Sequence, residues 1–182
     1  MDAKAITVQR RRMNITRTEK EVIKFQKHQL AILNICCFLI LYRNGWSAEK
    51  ILERFADATN IWKEVKEKKL STFELLEEET GIELALEGEK SYTEFGQLKF
   101  QEREVTPSQY IYSLQRRKRW IAPMILSVIL IAFHRVDGWG YDELAQFICE
   151  EDALRKELGD DLPKYKRKLL EETGYTPGLW GA

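Results

Sequence analysis

Shifted by 93 residues, the amino-acid sequence matches itself without a gap, and this internal repeat limits the possible folds more than any other feature. Gly45-Trp46 falls on Gly138-Trp139, and residues 78–81 fall on residues 171–174 with the same letters, Glu-Glu-Thr-Gly. Apolar positions between these patches coincide as well. Lys63-Glu64 also falls on Lys156-Glu157, and Ile32-Leu33 falls on Ile125-Leu126. Four separate patches in one register indicate a duplication, so the chain is expected to hold two copies of one structural unit.

Each copy has the pattern of a small helical unit. In the first copy, Thr16-x-x-Glu19 and Thr18-x-x-Glu21 are alternative capping boxes for a long helix from about residue 18 to Arg43. Gly45 is suited to the left-handed C-cap of that helix. Shorter helices are predicted over residues 48–58, 61–69 and 72–80.

The second copy repeats this plan. Thr106-Pro107 predicts an N-cap followed by proline at the first helical position, where no amide donor is lost. The long helix is expected to run to about Val136, a second helix to begin at Tyr141, and a last helix to cover residues 162–172. Both long helices are apolar almost all round over their central turns, so they are expected to pack together in one core.

The predicted fold is therefore mainly α, with two tandem copies of a three- to four-helix unit related by pseudo-two-fold symmetry. The segment Tyr92 to Gln101 is compatible with a short strand or hairpin, and Ala5 to Val8 with an extended segment that would pair with it. The predicted divisions are a basic N-terminal arm (1–15), a first helical repeat (16–84), an acidic connecting segment (85–105), a second helical repeat (106–176) and a C-terminal tail (177–182).

Two apolar runs, residues 30–42 and 120–133, are too short for membrane spans, which need about 20 residues. They are expected to be buried core helices. The N-terminus lacks the apolar region of a signal peptide. The three cysteines form no C-x-x-C pair, which favours buried, reduced thiols in a protein of the bacterial cytoplasm.

No pattern typical of catalysis is present, so the chain is predicted not to be an enzyme and to need no metal or cofactor. The sequence holds neither a phosphate-binding loop nor a nucleophile elbow. Its two histidines, His28 and His134, lack a second ligand at metal spacing. A His134–Cys149 nucleophile pair is conceivable, but a lone histidine at the end of an apolar helix is usually structural.

The 29 basic and 29 acidic residues sum to zero net charge, which excludes only a uniformly basic surface. Residues 1–30 carry +5, residues 74–104 carry −7 and residues 140–161 carry −6. Acidic blocks of this kind fit a basic groove on a partner. The predicted partner-binding residues are Glu74, Glu77, Glu78, Glu79, Glu83, Glu87, Glu94, Asp142, Asp160 and Asp161.

Basic residues gather near the starts of both long helices and give an alternative, nucleic-acid-binding site. These residues are Arg10, Arg11, Arg12, Arg116, Arg117, Lys118 and Arg119. A helix-turn-helix motif over residues 42–69 would place Lys63, Lys66, Lys68 and Lys69 towards phosphate. The corresponding stretch of the second copy is acidic, which argues against it. Trp46 and Trp139 fit either a partner anchor or, preferably, packing of a turn between two helices.

A single copy resembles a small helical module found in phage and prophage regions of Firmicutes. The similarity covers about 60 residues per copy and lies in the apolar helix, the Gly-Trp turn, the apolar-basic helix that follows, and the closing residues Leu76 to Ile82 and Leu170 to Gly174. That module has no settled activity to transfer. Two such copies in one chain also resemble the type II-A anti-CRISPR proteins, the phage inhibitors of Cas9.

The second resemblance implies a non-enzymatic inhibitor that binds Cas9 with its guide RNA and blocks target-DNA recognition or cleavage. It carries no residue assignments to this chain. The expected partner is accordingly Cas9 or another basic nucleic-acid-binding host protein, without a membrane, and exposed apolar helix faces would favour a homodimer. The alternative is a phage DNA-binding regulator that uses the basic helix starts on phosphate.

Overall fold

The computed structural model describes residues 3–84 and 107–176, apart from the side chains of residues 3–14, 107, 113, 116, 117 and 119. These ranges contain six α-helices and no strand, which confirms a mainly α protein. The hairpin predicted within residues 92–101 lies outside the described residues. The helices are α1 (Ala3–Arg43), α2 (Ala48–Lys68), α3 (Thr72–Thr80), α4 (Pro107–Asp137), α5 (Tyr141–Leu158) and α6 (Leu162–Thr173).

The long helices α1 and α4 lie side by side and run in the same direction. Near their starts, the Tyr110 hydroxyl donates to Glu19 Oε1 at 2.9 Å. Near their ends, the rings of Trp46 and Phe133 approach to 6.1 Å. The predicted packing of both long helices in one core is confirmed, since the buried runs from Ile32 to Leu41 and from Val128 to Phe133 belong to the same apolar cluster.

The short helices cross over to the opposite long helix. Helices α2 and α3 pack mainly on α4, whereas α5 and α6 pack on α1. We call residues 3–84 the first half and residues 107–176 the second half. Each half therefore covers the long helix of the other. Buried side chains that the short helices contribute to the core include Ile51, Ile61, Leu76, Leu144, Phe147, Leu154, Tyr165 and Leu169.

A second, smaller apolar cluster is formed by residues of α1 and α4. It consists of Ile15, Val22, Tyr110, Leu114 and Ile121, with Phe25 packed against it. We call residues 15–28 and 110–121 the stem. We call residues 29–84 and 122–176 the head.

Helix α1 begins at Ala3, so the predicted start near residue 18 was wrong, as was an extended Ala5 to Val8. No glycine or proline interrupts the sequence from Ala3 to Arg43, and a capping box acts only where the chain leaves the helix. The threonines of both predicted boxes, Thr16 and Thr18, lie inside α1.

Residues 48–68 form one helix, where two had been predicted. The interruption was expected at Thr59-Asn60, but the Thr59 hydroxyl donates to the Phe55 carbonyl at 2.8 Å, a bond that a helix interior accommodates. A helix-turn-helix motif needs a turn at this point, so that hypothesis was wrong. The helix instead ends at Lys69, which adopts the left-handed conformation with φ of 55°.

The remaining helix ends follow their predicted capping residues. Ser71 caps α3 by accepting the Glu74 amide, and Gly81 ends it in the left-handed region. Pro107 begins α4 and Gly174 ends α6. Helix α5 begins at Tyr141 as predicted, after the Gly140 amide donates to the Glu143 carboxylate at 3.0 Å.

Candidate interaction surfaces

Four predicted carboxylates form an exposed group along α3 and the residues that follow it. Glu74, Glu77, Glu78 and Glu83 are all exposed, and none makes an ion pair with the described residues. We call these four residues the acidic surface. The helix beneath is fixed by Leu76, which is fully buried, and by Phe73, whose ring lies 6.0 Å from that of Trp120. The carboxylates therefore lie on a helix that is anchored to the apolar core.

Glu79 does not belong to this surface, because it is held by Arg135 of α4. Two guanidinium nitrogens of Arg135 donate to Glu79 at 2.9 and 2.5 Å, and a third donates to Glu64 at 3.1 Å. These bonds raise the pKa of Arg135, with the Glu79 hydrogen bonds as the largest cause. Glu79 thus joins α3 to α4 and is satisfied inside the molecule.

The other predicted acidic residues lie elsewhere. Asp142 is exposed in the first turn of α5. Asp160 accepts a hydrogen bond from the Gln29 side chain at 3.0 Å, so it lies against α1, and Asp161 is 3.8 Å from Lys164. Glu87 and Glu94 lie outside the described residues. The described residues of the two predicted acidic blocks therefore lie apart, one on α3, which packs on α4, and the other in the α5–α6 region, which packs on α1.

The stem carries the described part of the predicted basic site. Arg17, Lys20, Lys24 and Lys27 are exposed along α1, and sequence reasoning left these four unassigned. Lys118 is half-buried, with its ammonium 5.7 Å from the centre of the Phe25 ring. The structure does not describe the side chains of the remaining predicted cations. Their backbone lies in the long helices, with Arg10, Arg11 and Arg12 in α1 and Arg116, Arg117 and Arg119 in α4.

The two Gly-Trp turns meet at the end of the head that lies opposite the stem. Gly45 and Gly138 have φ of +83° and +71°, which reverses the chain after each long helix. The rings of Trp46 and Trp139 then meet edge to face at 5.8 Å, and Lys50 lies 3.5 Å over the Trp46 ring. As predicted, each tryptophan packs a turn between helices.

A buried polar cluster joins α1 to α5 and α6. Glu151 and Arg155 form an ion pair in which Arg155 also donates to Gln29 at 3.2 Å. Burial raises the pKa of Glu151, although its arginine partner opposes the shift. Burial also raises the pKa of the Cys36 thiol to about 12 and raises that of Tyr165, whose hydroxyl donates to the Gly159 carbonyl. Burial thus favours the protonated thiol of Cys36 and the protonated hydroxyl of Tyr165, and the protonated forms are poor nucleophiles.

The histidines and cysteines have no arrangement that suggests catalysis. His134 Nδ1 lies 2.8 Å from the Trp139 carbonyl, and His28 Nε2 lies 3.1 Å from the Asp160 carbonyl. No cluster of potential metal ligands occurs within residues 3–84 and 107–176. Cys36 and Cys37 are buried as predicted, but Cys149 is exposed, because it lies on the outer face of α5.

Two segments, Ile15–Arg43 and Trp120–Asp137, are long and apolar enough to cross a membrane when judged by length and composition alone. Of the most apolar window in each, 56% is buried inside the molecule. More than half of each window is thus packed against other parts of the protein. Core helices of soluble proteins meet the same length and composition criteria, so the test is weak evidence for a span, and the absence of a membrane stays a prediction.

Comparison with known proteins gives no relative: no family model matches the chain, and no significant match is found among curated proteins or among solved structures.

Proposed function

We propose that this chain is a non-enzymatic binding protein that presents the acidic surface on α3 to a basic, nucleic-acid-binding groove of a host protein. The observation that carries the proposal is a group of exposed carboxylates that make no ion pair with the part of the chain that the structure describes: Glu74, Glu77, Glu78 and Glu83. Field complementarity between such a surface and a basic groove speeds encounter and fixes orientation.

The position of these carboxylates supports a role outside the fold. Glu77 and Glu78 lie in the last turn of α3, which contains no basic residue. Negative charge near the C-terminal end of a helix opposes the helix dipole and costs stability. The carboxylates of Glu77 and Glu78 therefore cost their own helix stability and make no ion pair with the described residues. A partner protein that binds them would account for their presence.

The specific host protein that we propose is Cas9 with its guide RNA, which would make the chain a phage-encoded anti-CRISPR protein acting in the bacterial cytoplasm. The resemblance noted in the sequence is the source of this choice. Cas9 holds nucleic acid in positively charged channels. An acidic surface placed there would block target-DNA recognition or cleavage by competition, without chemistry.

Charge reversal tests this proposal. A variant in which Glu74, Glu77, Glu78 and Glu83 become Lys is compared with a matched control that reverses four exposed carboxylates elsewhere, at Glu49, Glu53, Glu67 and Glu171. We expect the first variant to bind the Cas9–guide complex at least about tenfold more weakly, since exposed charge pairs contribute up to about 1 kcal/mol each. Equal loss in both variants, or no binding by the unmodified protein, contradicts the proposal.

The stem supports a second candidate, a phage DNA-binding regulator. Helix α1 exposes Arg17, Lys20, Lys24 and Lys27 along one strip of the stem, with Arg17 paired to Glu21 at 3.1 Å. Phosphate binding of this type weakens with salt, with a slope of log affinity against log salt of about −0.9 per phosphate neutralised. Gel shifts on random and promoter DNA at two salt concentrations would measure it, and absence of binding at low salt removes this candidate.

We also propose that the two halves arose by duplication and are related by a pseudo-two-fold axis along the long helices. Helices α2 and α5 begin at positions equivalent under the sequence shift, Ala48 and Tyr141, and α3 and α6 end at equivalent threonines. Those threonines, Thr80 and Thr173, each donate to the carbonyl four residues earlier at 2.7 Å. Superposition of the halves in a solved structure would test the axis.

A further inference from the structure

The two halves are interlocked through contacts that each half makes with the other. Every ion pair in the described residues that joins side chains more than 11 residues apart joins one half to the other. Arg43 at the end of α1 binds Glu172 of α6, and Arg135 near the end of α4 binds Glu79 of α3. The two glutamates occupy equivalent positions in the repeat.

Ring contacts also join the halves, although Phe133 of α4 meets Phe147 of α5 within the second half at 5.1 Å. Phe38 of α1 stacks on Tyr175 at 5.1 Å, and Trp120 of α4 meets Phe73 of α3 at 6.0 Å. Because the short helices of each half lie mainly on the long helix of the other, a separated half would expose most of its long apolar run to water. Such exposure removes the main term that stabilises a fold.

We infer that neither half keeps its fold alone. The chain is built like a heterodimer in which the two halves are the subunits, each covering the long helix of the other, and a connecting segment joins them into one polypeptide. This inference goes beyond the proposed binding of a host protein and does not depend on it, but its second part rests on the proposed equivalence of the two halves. Its second part concerns pairing: each half is built to bind the other half and not a second copy of itself.

The buried polar cluster provides this selectivity. It lies where α1 meets α5 and α6, and it contains Gln29, Glu151 and Arg155. The positions equivalent to these three in the other half are Ala122, Ala58 and Trp62. Two paired second halves would therefore bury the Glu151–Arg155 pair against Ala122, where the Gln29 amide is missing.

Paired first halves meet the complementary mismatch. Gln29 is almost fully buried, and its amide bonds both Arg155 and Asp160. Against another first half it would face Ala58 and Trp62 in place of Glu151 and Arg155, with Glu67 at the position of Asp160, and it would lose the hydrogen bond from Arg155. A buried polar group without its hydrogen bonds disfavours the complex that contains it, so a polar contact of this kind selects the correct partner.

Cleavage of the folded chain tests the interlock. A protease recognition sequence inserted between Gly88 and Glu89 allows the full-length protein to be folded first and cut afterwards. We expect both fragments to elute together, with the helical circular-dichroism signal unchanged and a midpoint of thermal unfolding that now depends on protein concentration. Fragments that separate and each keep a cooperative helical transition would overturn the inference.

Refolding of the cut protein tests the pairing. After denaturation and dilution, native mass spectrometry should find one first half bound to one second half as the only dimer. Random pairing would give one quarter of each homodimer and one half of the heterodimer, and that distribution would refute the selectivity. Another outcome is that the cut protein fails to regain its helical signal under conditions in which the uncut chain regains it. That result would refute the claim that the contact surfaces of the two halves are sufficient to pair them.

In a final comparison, Glu151→Ala with Arg155→Trp copies the first half's residues into the second half of the cut protein. Homodimers of the second half should then appear in the refolded mixture. The control pair Asp152→Ala with Lys156→Ala removes an exposed ion pair from the same helix and should leave the heterodimer as the only species. Identical mixtures from both variants would show that the polar cluster does not direct pairing.

Discussion

Glu172 illustrates how a single side chain ties the two halves and makes the fold sensitive to pH. Arg43 donates two hydrogen bonds to it at 2.8 and 2.7 Å, which is the main reason that the pKa of Glu172 lies below 4.5. A carboxyl with a lower pKa in the folded state stabilises the fold above its unfolded pKa, and this contribution is lost as pH falls through the folded pKa.

We therefore expect Glu172→Gln to lower the free energy of unfolding at pH 7 by up to about 1 kcal/mol, because the pair is partly exposed to solvent. The difference from the unmodified protein should shrink once the pH falls below 4.5. Urea unfolding between pH 3 and 7 measures it. Glu171→Gln is the matched control, since Glu171 is the exposed neighbour without a described ion pair, and an equal pH-dependent loss there would contradict the assignment.

The cysteines give a second prediction at this scale. Cys36 and Cys37 are fully buried, and burial raises the pKa of both thiols, whereas Cys149 is exposed. Because the thiolate is the reactive form, a thiol reagent should modify one cysteine in the folded protein and all three after denaturation. Cys149→Ser should abolish the fast reaction. Rapid modification of a second thiol in folded protein would show that the α1 core opens readily.

At the scale of the element, α3 shows a conflict between its stability and the charges it carries. Glu74 lies in the first turn, where negative charge favours the helix dipole, while Glu77 and Glu78 lie in the last turn, where it opposes the dipole. We expect Glu77→Gln and Glu78→Gln each to raise the free energy of unfolding by about 0.3–1 kcal/mol at low salt. Glu74→Gln, equally exposed, should lower it, and the same sign for all three would exclude the dipole as the cause.

The helix ends that the sequence predicts well are those fixed by one local residue. Ser71, Gly81 and Gly174 each satisfy or reverse the backbone within a few residues, so a short window contains the whole cause. The start of α1 and the continuity of α2 are different, because a capping sequence permits a helix end without forcing one. At Thr59 the helix continued, and its hydroxyl bonded within the helix.

The placement of α2 and α3 on α4, and of α5 and α6 on α1, was not predictable from the repeat alone. The apolar stripes are the same whether each unit packs on itself or on its twin, because burial is non-directional. Arg135 and Glu79 show the same limit for the candidate site: nothing in their sequence neighbourhood indicates that they meet. Composition identified the acidic block on α3, but only the tertiary contacts separated Glu79, which is paired, from Glu77 and Glu78.

At the scale of the whole molecule, stability should be divided unequally between head and stem. The head buries both long helices beneath four shorter ones, and Leu39, Leu130 and Phe133 have no exposed surface there. Among the described residues, the stem consists of α1 and α4 and meets the shorter helices only at its inner end, and Ile23 and Tyr112 are 53% and 66% exposed there. Helices of this kind depend on tertiary packing, and regions with few buried contacts open locally before the global fold is lost.

Hydrogen exchange should therefore be faster at the amides of residues 15–25 and 110–118 than at those of residues 32–41 and 126–133. Leu114→Ala should speed exchange in the stem alone, because among the described residues Leu114 belongs to the smaller cluster and not to the core of the head. Leu130→Ala removes a fully buried side chain of the head and should lower the global free energy of unfolding by about 2–5 kcal/mol. If Leu114→Ala instead speeds exchange throughout the head, stem and head unfold as one cooperative unit, and the stem is as firmly held as the core.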